Sequence, residues 1–541
     1  MPKYPLAAGF LIASLSASWA QAAAWSATGT QAHPVQSLIP GAKDNGEVAP
    51  GQLVHISVSL AVRDKAGLES LANAVMAGDA GKVLSDEQFM ARFAPTASQV
   101  QQVISHLQAN GFRNIQASDN RLLISADGSA ATVKSAFQTS LHRYTLNGRA
   151  ATANIGNAMV PQALSGIVLA VHGLQDAHQF ALALHNNGQV GAQAKTASVS
   201  AHKPTDFQAI YNAASLPAAG NTAVGIIAEG DVSRTLADLQ TFAKSAGFAA
   251  PATAVIHAGA STSDTSGLLE WNLDSQSILA TAGGKLKQLQ FYVAPSMNNA
   301  DITAAINAAV SANSAKVINI SLGECELSAQ MSGMTASTDQ LFAAGVVKGQ
   351  TFVVSSGDSG AYECGGGTPL QSYPAVSPYV VAAGGTTLNA NGASYLSETV
   401  WSGAGGGPSY TEAAPAWQTS AGVLTSNKTR RGVPDIAFDA DPYSGALVLL
   451  SGNTYQVGGT SLAAPLFSGF WARIQSAHGN GLISPSAAIY KYFKANPSLY
   501  HDVTSGSNGA YRAASGWDYA SGWGSLNIAN FNAFVSKTAG F

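Results

Sequence analysis

The chain has 541 residues, enough for more than one domain, and 46% of them are hydrophobic while only 11% are charged. That balance, with 55 glycines, excludes a disordered chain. A net charge of −3 excludes an electrostatic attraction to nucleic acid or to an acidic membrane surface.

Met1-Pro2-Lys3-Tyr4 is a charged start, Leu6 to Trp19 is apolar, and Ala20-Gln21-Ala22 is a small-residue cleavage site. Together they read as a secretory signal over 1–22. Nothing else is long and apolar enough to span a membrane, so a secreted, extracellular product is expected. Residues 23–50 are polar and turn-rich and read as a flexible lead. From 51 to 185 strand and helix patterns mix. Leu53–Leu60 alternates as a strand, Gly67–Met76 and Ala97–Ala109 have helical spacing, and Asn114–Ala117 and Arg121–Ser125 read as strands. Thr132–Phe137 follows as a helix, then Leu141–Leu146 and Ile167–Val171 as strands. This is the pattern of an α+β unit of ferredoxin-like type. Residues 186–203 are rich in Asn, Gln, Ala, Lys and Ser without apolar periodicity, and read as a linker and a place to cut.

From 204 to 541 apolar strands alternate with helices. Strands are expected at Ala223–Ala228, Leu289–Ala294, Val317–Ser321 and Thr351–Ser355, and helices at Arg234–Ala246 and Ile302–Ser311. Such alternation predicts an α/β fold, a mostly parallel sheet with helices on both faces. Glu270 and Asp274 fall four residues apart in a helical segment whose apolar side carries Leu269, Leu273 and Ile278. That spacing stacks two carboxyls about 5–6 Å apart at Cβ, close enough to share a proton at acid pH. The β-branched run Val353–Ser356 ends at Gly357-Asp358, which places Asp358 at the C-terminal edge of a strand, where open α/β sheets keep their ligand sites. A protonated carboxyl there can donate to an oxyanion. In Gly459-Thr460-Ser461-Leu462-Ala463-Ala464-Pro465 a serine precedes a small, apolar helical run. The free N–H groups of a helix start favour developing negative charge, but a serine needs a base. Among 11 histidines only His202, His257, His478 and His501 lie near or within the last region, and none has the setting of a subtilisin base. The two cysteines, Cys325 and Cys364, allow one intramolecular bridge or two free thiols.

These motifs in this order resemble the sedolisins, the serine-carboxyl peptidases, and most of all the pseudomonalisin type. The likeness runs from about residue 50 to the end. It implies a subtilisin-like fold for 204–541, with 51–185 as an activation propeptide that inhibits and assists folding. The mature chain is then expected to start between about 190 and 203. The resemblance implies Ser461 as nucleophile, Glu270 as general base, Asp274 as its partner and Asp358 as the oxyanion donor. It favours a Cys325–Cys364 bridge. It also implies one structural calcium ion held by the carboxylates of Asp502 and Asp518 and the carbonyls of Val503, Ala514 and Gly516, a hard-oxygen set suited to that ion. Ser321-Leu322-Gly323 and Gly405-Gly406-Gly407 are similar to the family's substrate cleft, where an extended peptide can pair edge-on. The shortened loop at Gly365-Gly366-Gly367 departs from the type, so side-chain preference is not carried over. The expectation is a secreted, monomeric, acid-acting endopeptidase made as a self-processing zymogen, acting on proteins and peptides. The rival is a catalytically silent secreted binding protein on the same fold.

Overall fold

The computed structural model describes residues 24–189, 200–424 and 429–541. The signal expected over 1–22 and the 190–199 part of the expected maturation region lie outside these residues.

Four strands form the sheet of the N-terminal unit in the order Arg113–Ala117, Leu123–Ser129, Leu53–Leu60, Val168–His172, with every pair antiparallel. The first strand in the chain sits inside the sheet, between the third and the last, as in a ferredoxin-like unit. Helix Ala97–Ala109 opens with a capping box formed by Thr96 and Gln99. Its Val100, Val103 and Leu107 meet Val133 and Phe137 of helix Ala130–Phe137 over Ile56, Val58 and Ile124.

Residues 23–50 are not the flexible lead that their composition suggests. Trp25–Ala27 pairs with Met159–Pro161, and Lys43–Glu47 pairs with Leu141–Leu146. Val35 is buried with Tyr144 and Leu146. Short edge strands are held by backbone donors and acceptors, so polar residues can occupy them without apolar periodicity.

The N-terminal unit is docked firmly on the second unit. Helix Lys65–Met76 packs on helix Met334–Val347 and lends Leu68, Leu71, Val75 and Met76 to the larger core. His172 is fully buried at this junction, with Nε2 3.1 Å from Ser59 Oγ and 3.0 Å from Ser337 Oγ.

The larger unit is built on an eight-stranded sheet. Its path runs Thr253–His257, Leu286–Ala294, Ala219–Glu229, Val317–Ile320, Thr351–Ser355, Val381–Asn391, Ser394–Val400, and Ile436–Asp439 pairs with Val381–Asn391. All pairs are parallel except the hairpin of Val381–Asn391 with Ser394–Val400. The inner strands Val317–Ile320 and Thr351–Ser355 are buried at every residue, as expected for a sheet covered on both faces. Helix Thr460–Ala477 crosses the sheet and packs on helix Leu268–Thr281. Apolar spacing predicts one buried side for the latter helix, yet it is buried continuously from Glu270 to Thr281. Helix Ser233–Ser245 and strand Ala446–Leu450 cover what would have been its outer face.

Candidate active site

Burial of the helix from Glu270 to Thr281 decides what its two acids can be. Glu270 and Asp274 are both fully buried, so neither belongs to a solvated helix face. Burial first, then the negative charge of Asp274, pushes the Glu270 carboxyl well above the usual carboxylate range. The hydroxyls of Ser461 and Ser321 lie near enough to pull it partly back. Neither Glu270 oxygen has a partner in good hydrogen-bond geometry. Asp274 is raised by burial and restrained by Ser321 and Asn319. Ser321 Oγ donates to Asp274 Oδ1 at 2.7 Å and accepts from Asn319 Nδ2 at 3.0 Å. Two adjacent buried acids with so little compensation share a proton rather than carry two charges.

Asp358 follows strand Thr351–Ser355 in a tight turn at Gly357, φ 111°. Its Oδ1 accepts from Thr460 N at 2.7 Å and Thr460 Oγ1 at 2.8 Å. Its Oδ2 is buried and lacks a hydrogen bond. Burial pushes this carboxyl up to about 6, against the lowering contacts from Thr460 and the nearby His185. Below that value it is a neutral O–H donor.

Ser461 sits in the first turn of helix Thr460–Ala477, with Oγ 3.4 Å from Ser321 O. Gly459, at φ 105°, lets another stretch of chain pass close by: a Cβ there would collide with both the Ala183 carbonyl oxygen and Asp358 Oδ2. Ser461 N donates to that same Ala183 oxygen at 3.0 Å. The Ser461 N–H therefore meets the Ala183 carbonyl, and the free oxygen of Asp358 lies beside the same gap at Gly459. No histidine is hydrogen-bonded to Ser461 among the described residues. His478 pairs with Asn532, and His501 stacks on Tyr395.

Cys325 and Cys364 form a disulfide, which ties strand Leu322–Cys325 to the loop after Asp358. That loop also carries Glu363, whose Oε1 accepts from Ser359 N at 2.8 Å and whose carboxyl is pushed up to about 8 by burial. Sequence pattern alone misses Glu363, because the glycine run beside it suggests an empty loop.

Two family models match this chain. "Pro-kumamolisin, activation domain" covers residues 40–177 and "Subtilase family" covers residues 172–524. Sedolisin of Pseudomonas sp. (strain 101) is 47% identical over 569 residues, spanning 98% of this chain and 96% of that protein. The chain belongs to the sedolisin family. Xanthomonalisin of Xanthomonas sp. (strain T-22) is 43% identical over 89% of this chain and 65% of its own length. The solved Pseudomonas sedolisin, a serine-carboxyl proteinase complexed with two molecules of pseudo-iodotyrostatin, superposes with a TM-score of 0.61 at 47% identity. The match covers 63% of this chain and all of that one. As a sedolisin with its activation domain, the protein is a serine-carboxyl peptidase in precursor form.

Sedolisins as a family bind calcium, and the C-terminal loop of this chain tests the fit. Asp502 Oδ2 accepts from Gly516 N at 2.9 Å, and Asp518 Oδ2 accepts from Ala514 N at 2.8 Å. Two carboxylates thus close on the same short turn. Asp518 Oδ1 further accepts from Ala520 N and Ser521 N at 2.8 and 2.9 Å. No cluster of three or more His, Cys, Asp or Glu side chains forms a metal site among the described residues. Carbonyls would have to complete the sphere, which calcium accepts and zinc does not. The donor chemistry fits the ion.

Proposed function

We propose a secreted, acid-acting serine-carboxyl endopeptidase that processes itself from a zymogen. The observation that carries this reading is that the Ala183 carbonyl accepts from Ser461 N–H beside the raised carboxyl of Asp358, whose Oδ2 has no hydrogen bond. Ser461 Oγ attacks the scissile carbonyl carbon while Glu270 takes its proton. Asp274, held by Ser321, shares and steers the proton on Glu270. The oxyanion accepts from Ser461 N–H and from protonated Asp358. Glu270 returns the proton to the departing amine, and water then hydrolyses the acyl-enzyme by the same route in reverse. Asp502, Asp518 and the carbonyls of Val503, Ala514 and Gly516 would hold one calcium ion, which supplies a cross-link of the loop when bound.

Hydrolysis of a casein or peptide substrate by the activated enzyme tests the reading. Activity is expected below about pH 6 and absent towards neutrality, since Asp358 must keep its proton. A rate maximum on the alkaline side would overturn it.

A further inference from the structure

The geometry points to Ala183–Leu184 as the peptide bond that this zymogen cuts first. The proposal rests on the reading of Ser461 as nucleophile, and it moves the first cut upstream of the 186–203 region that composition suggests.

Residues 181–189 pass through the cleft as a substrate would. Ala181–Leu182 pairs antiparallel with strand Leu322–Cys325, in the register Ala181 with Gly323 and Leu182 with Leu322. Beyond the cleft, strand His185–Gln189 pairs antiparallel with Asn453–Gly458, with His185 opposite Gly458 and Asn186 opposite Val457. Between the two ladders only Ala183 and Leu184 are unpaired by strands. Edge pairing on both sides fixes an extended peptide in place and leaves its centre exposed to chemistry.

That centre is where the reactive groups meet. The Ala183 carbonyl oxygen accepts from Ser461 N at 3.0 Å, and it shares with Asp358 Oδ2 the small space that Gly459 leaves open. His185, two residues on, lies with Nε2 3.6 Å from Asp358 Oδ2 and its ring edge-on to Trp401 at 5.4 Å. Any other bond in the segment would need the whole strand to slip, and a one-residue slip turns every side chain to the other face.

In the cut, a Ser461 Oγ–C bond forms at the Ala183 carbonyl carbon and the Ala183–Leu184 C–N bond breaks. The Ser461 proton passes through Glu270 to the Leu184 nitrogen. Water then cleaves the ester, leaving an Ala183 carboxylate and restoring Ser461. Leu184 then becomes the new amino terminus of the larger unit. His202 is held to the larger unit, its N–H donating to Gly445 O at 2.8 Å.

The purified full-length precursor, moved to about pH 4 where Asp358 is protonated, is sampled over time by N-terminal sequencing and intact mass. Leu184 is expected as the first new amino terminus. Leu184→Pro should remove that terminus and slow the first cut at least ~10-fold, as the loss of a positioned reacting bond demands. A synthetic peptide covering residues 178–189, given to the activated enzyme, should split between Ala183 and Leu184. This second arm reads the bond even if Leu184→Pro fails to fold. A first cut elsewhere with no Leu184 terminus, or a peptide split at another bond, overturns the proposal. If those cuts still vanish in Ser461→Ala, the peptidase reading survives that failure. Self-processing by Ser461→Ala would sink both.

Discussion

Two groups of buried acids in this molecule are treated in opposite ways. Asp435 is fully buried but saturated: it takes Arg431 Nη2 at 2.7 Å, Ala382 N at 2.8 Å and Tyr490 Oη at 2.8 Å. Glu270, also fully buried, has no well-placed partner, and Asp274 has one for its Oδ1 and none for its Oδ2. The same functional group is thus a structural pin where both oxygens are bonded, and in the reading proposed above a proton carrier where oxygens are left free. Leaving them free costs stability, since an unpartnered buried polar group is penalised by about 1–3 kcal/mol.

The largest effect tests the cleft side of this contrast. Ser461→Ala should remove all turnover, a fall on the order of 10⁶ in kcat by analogy with other serine nucleophiles. The precursor should stay folded, with its linker strand still in the cleft. Circular dichroism and peptide hydrolysis read the two halves. Full maturation of the purified variant would count against this nucleophile.

Next comes a matched pair. Glu270→Gln should cost roughly 10²–10⁴-fold in kcat, because an amide of the same size accepts no proton, while its melting temperature holds or rises. Asp435→Asn should do the reverse. It strands the Arg431 cation in the interior and should lower stability by about 3–5 kcal/mol, with kcat per folded molecule unchanged. Equal losses of stability in both variants would erase the distinction between pin and carrier.

Asp358→Asn keeps a neutral donor at every pH. The rate at acid pH should fall roughly 10²–10³-fold or less, and the decline above about 6 should flatten. A wild-type alkaline limb that survives unchanged in this variant would hand control of the pH profile to Glu270 and Asp274. The smallest effect belongs to the C-terminal loop. Calcium chelation, or Asp518→Ala, should lower the melting temperature with little change in kcat. A free ion a hundredfold above its Kd is worth about 2.7 kcal/mol. No shift in either experiment would remove the ion from the account.

Much of this was legible in the residues. The strands Val317–Ile320 and Thr351–Ser355 are short β-branched runs, and Asp358 and Ser461 stand where glycine-bounded turns announce them. What escaped was set by long-range pairing. Trp25–Ala27 and Lys43–Glu47 are strands only because distant edges accept them. The linker strands at Ala181–Leu182 and His185–Gln189 carry no apolar alternation, and their register comes from partners far along the chain. The burial of the Leu268–Thr281 helix on all sides likewise depends on elements before and after it, which local periodicity does not report.

The buried acids also set the conditions under which this protein can exist. Besides Asp358 at about 6, burial lifts Asp339 to about 6, Glu324 to about 8 and Glu412 to about 9. An unfolded chain releases such protons near pH 4, so between that point and each raised value the native state carries protons that the unfolded state lacks. At these acids folding takes up protons, and their contribution weakens step by step as pH climbs, whereas His33 and His172, both lowered to about 4 chiefly by burial, weaken the fold as pH falls. Hydrogen ions act here as a bound stabilising ligand. Neutral surroundings would withdraw it from Asp339 as from Asp358, while Glu324 and Glu412 release theirs only at alkaline pH, so in the reading proposed above the oxyanion donor and part of the scaffold are lost over the same pH range.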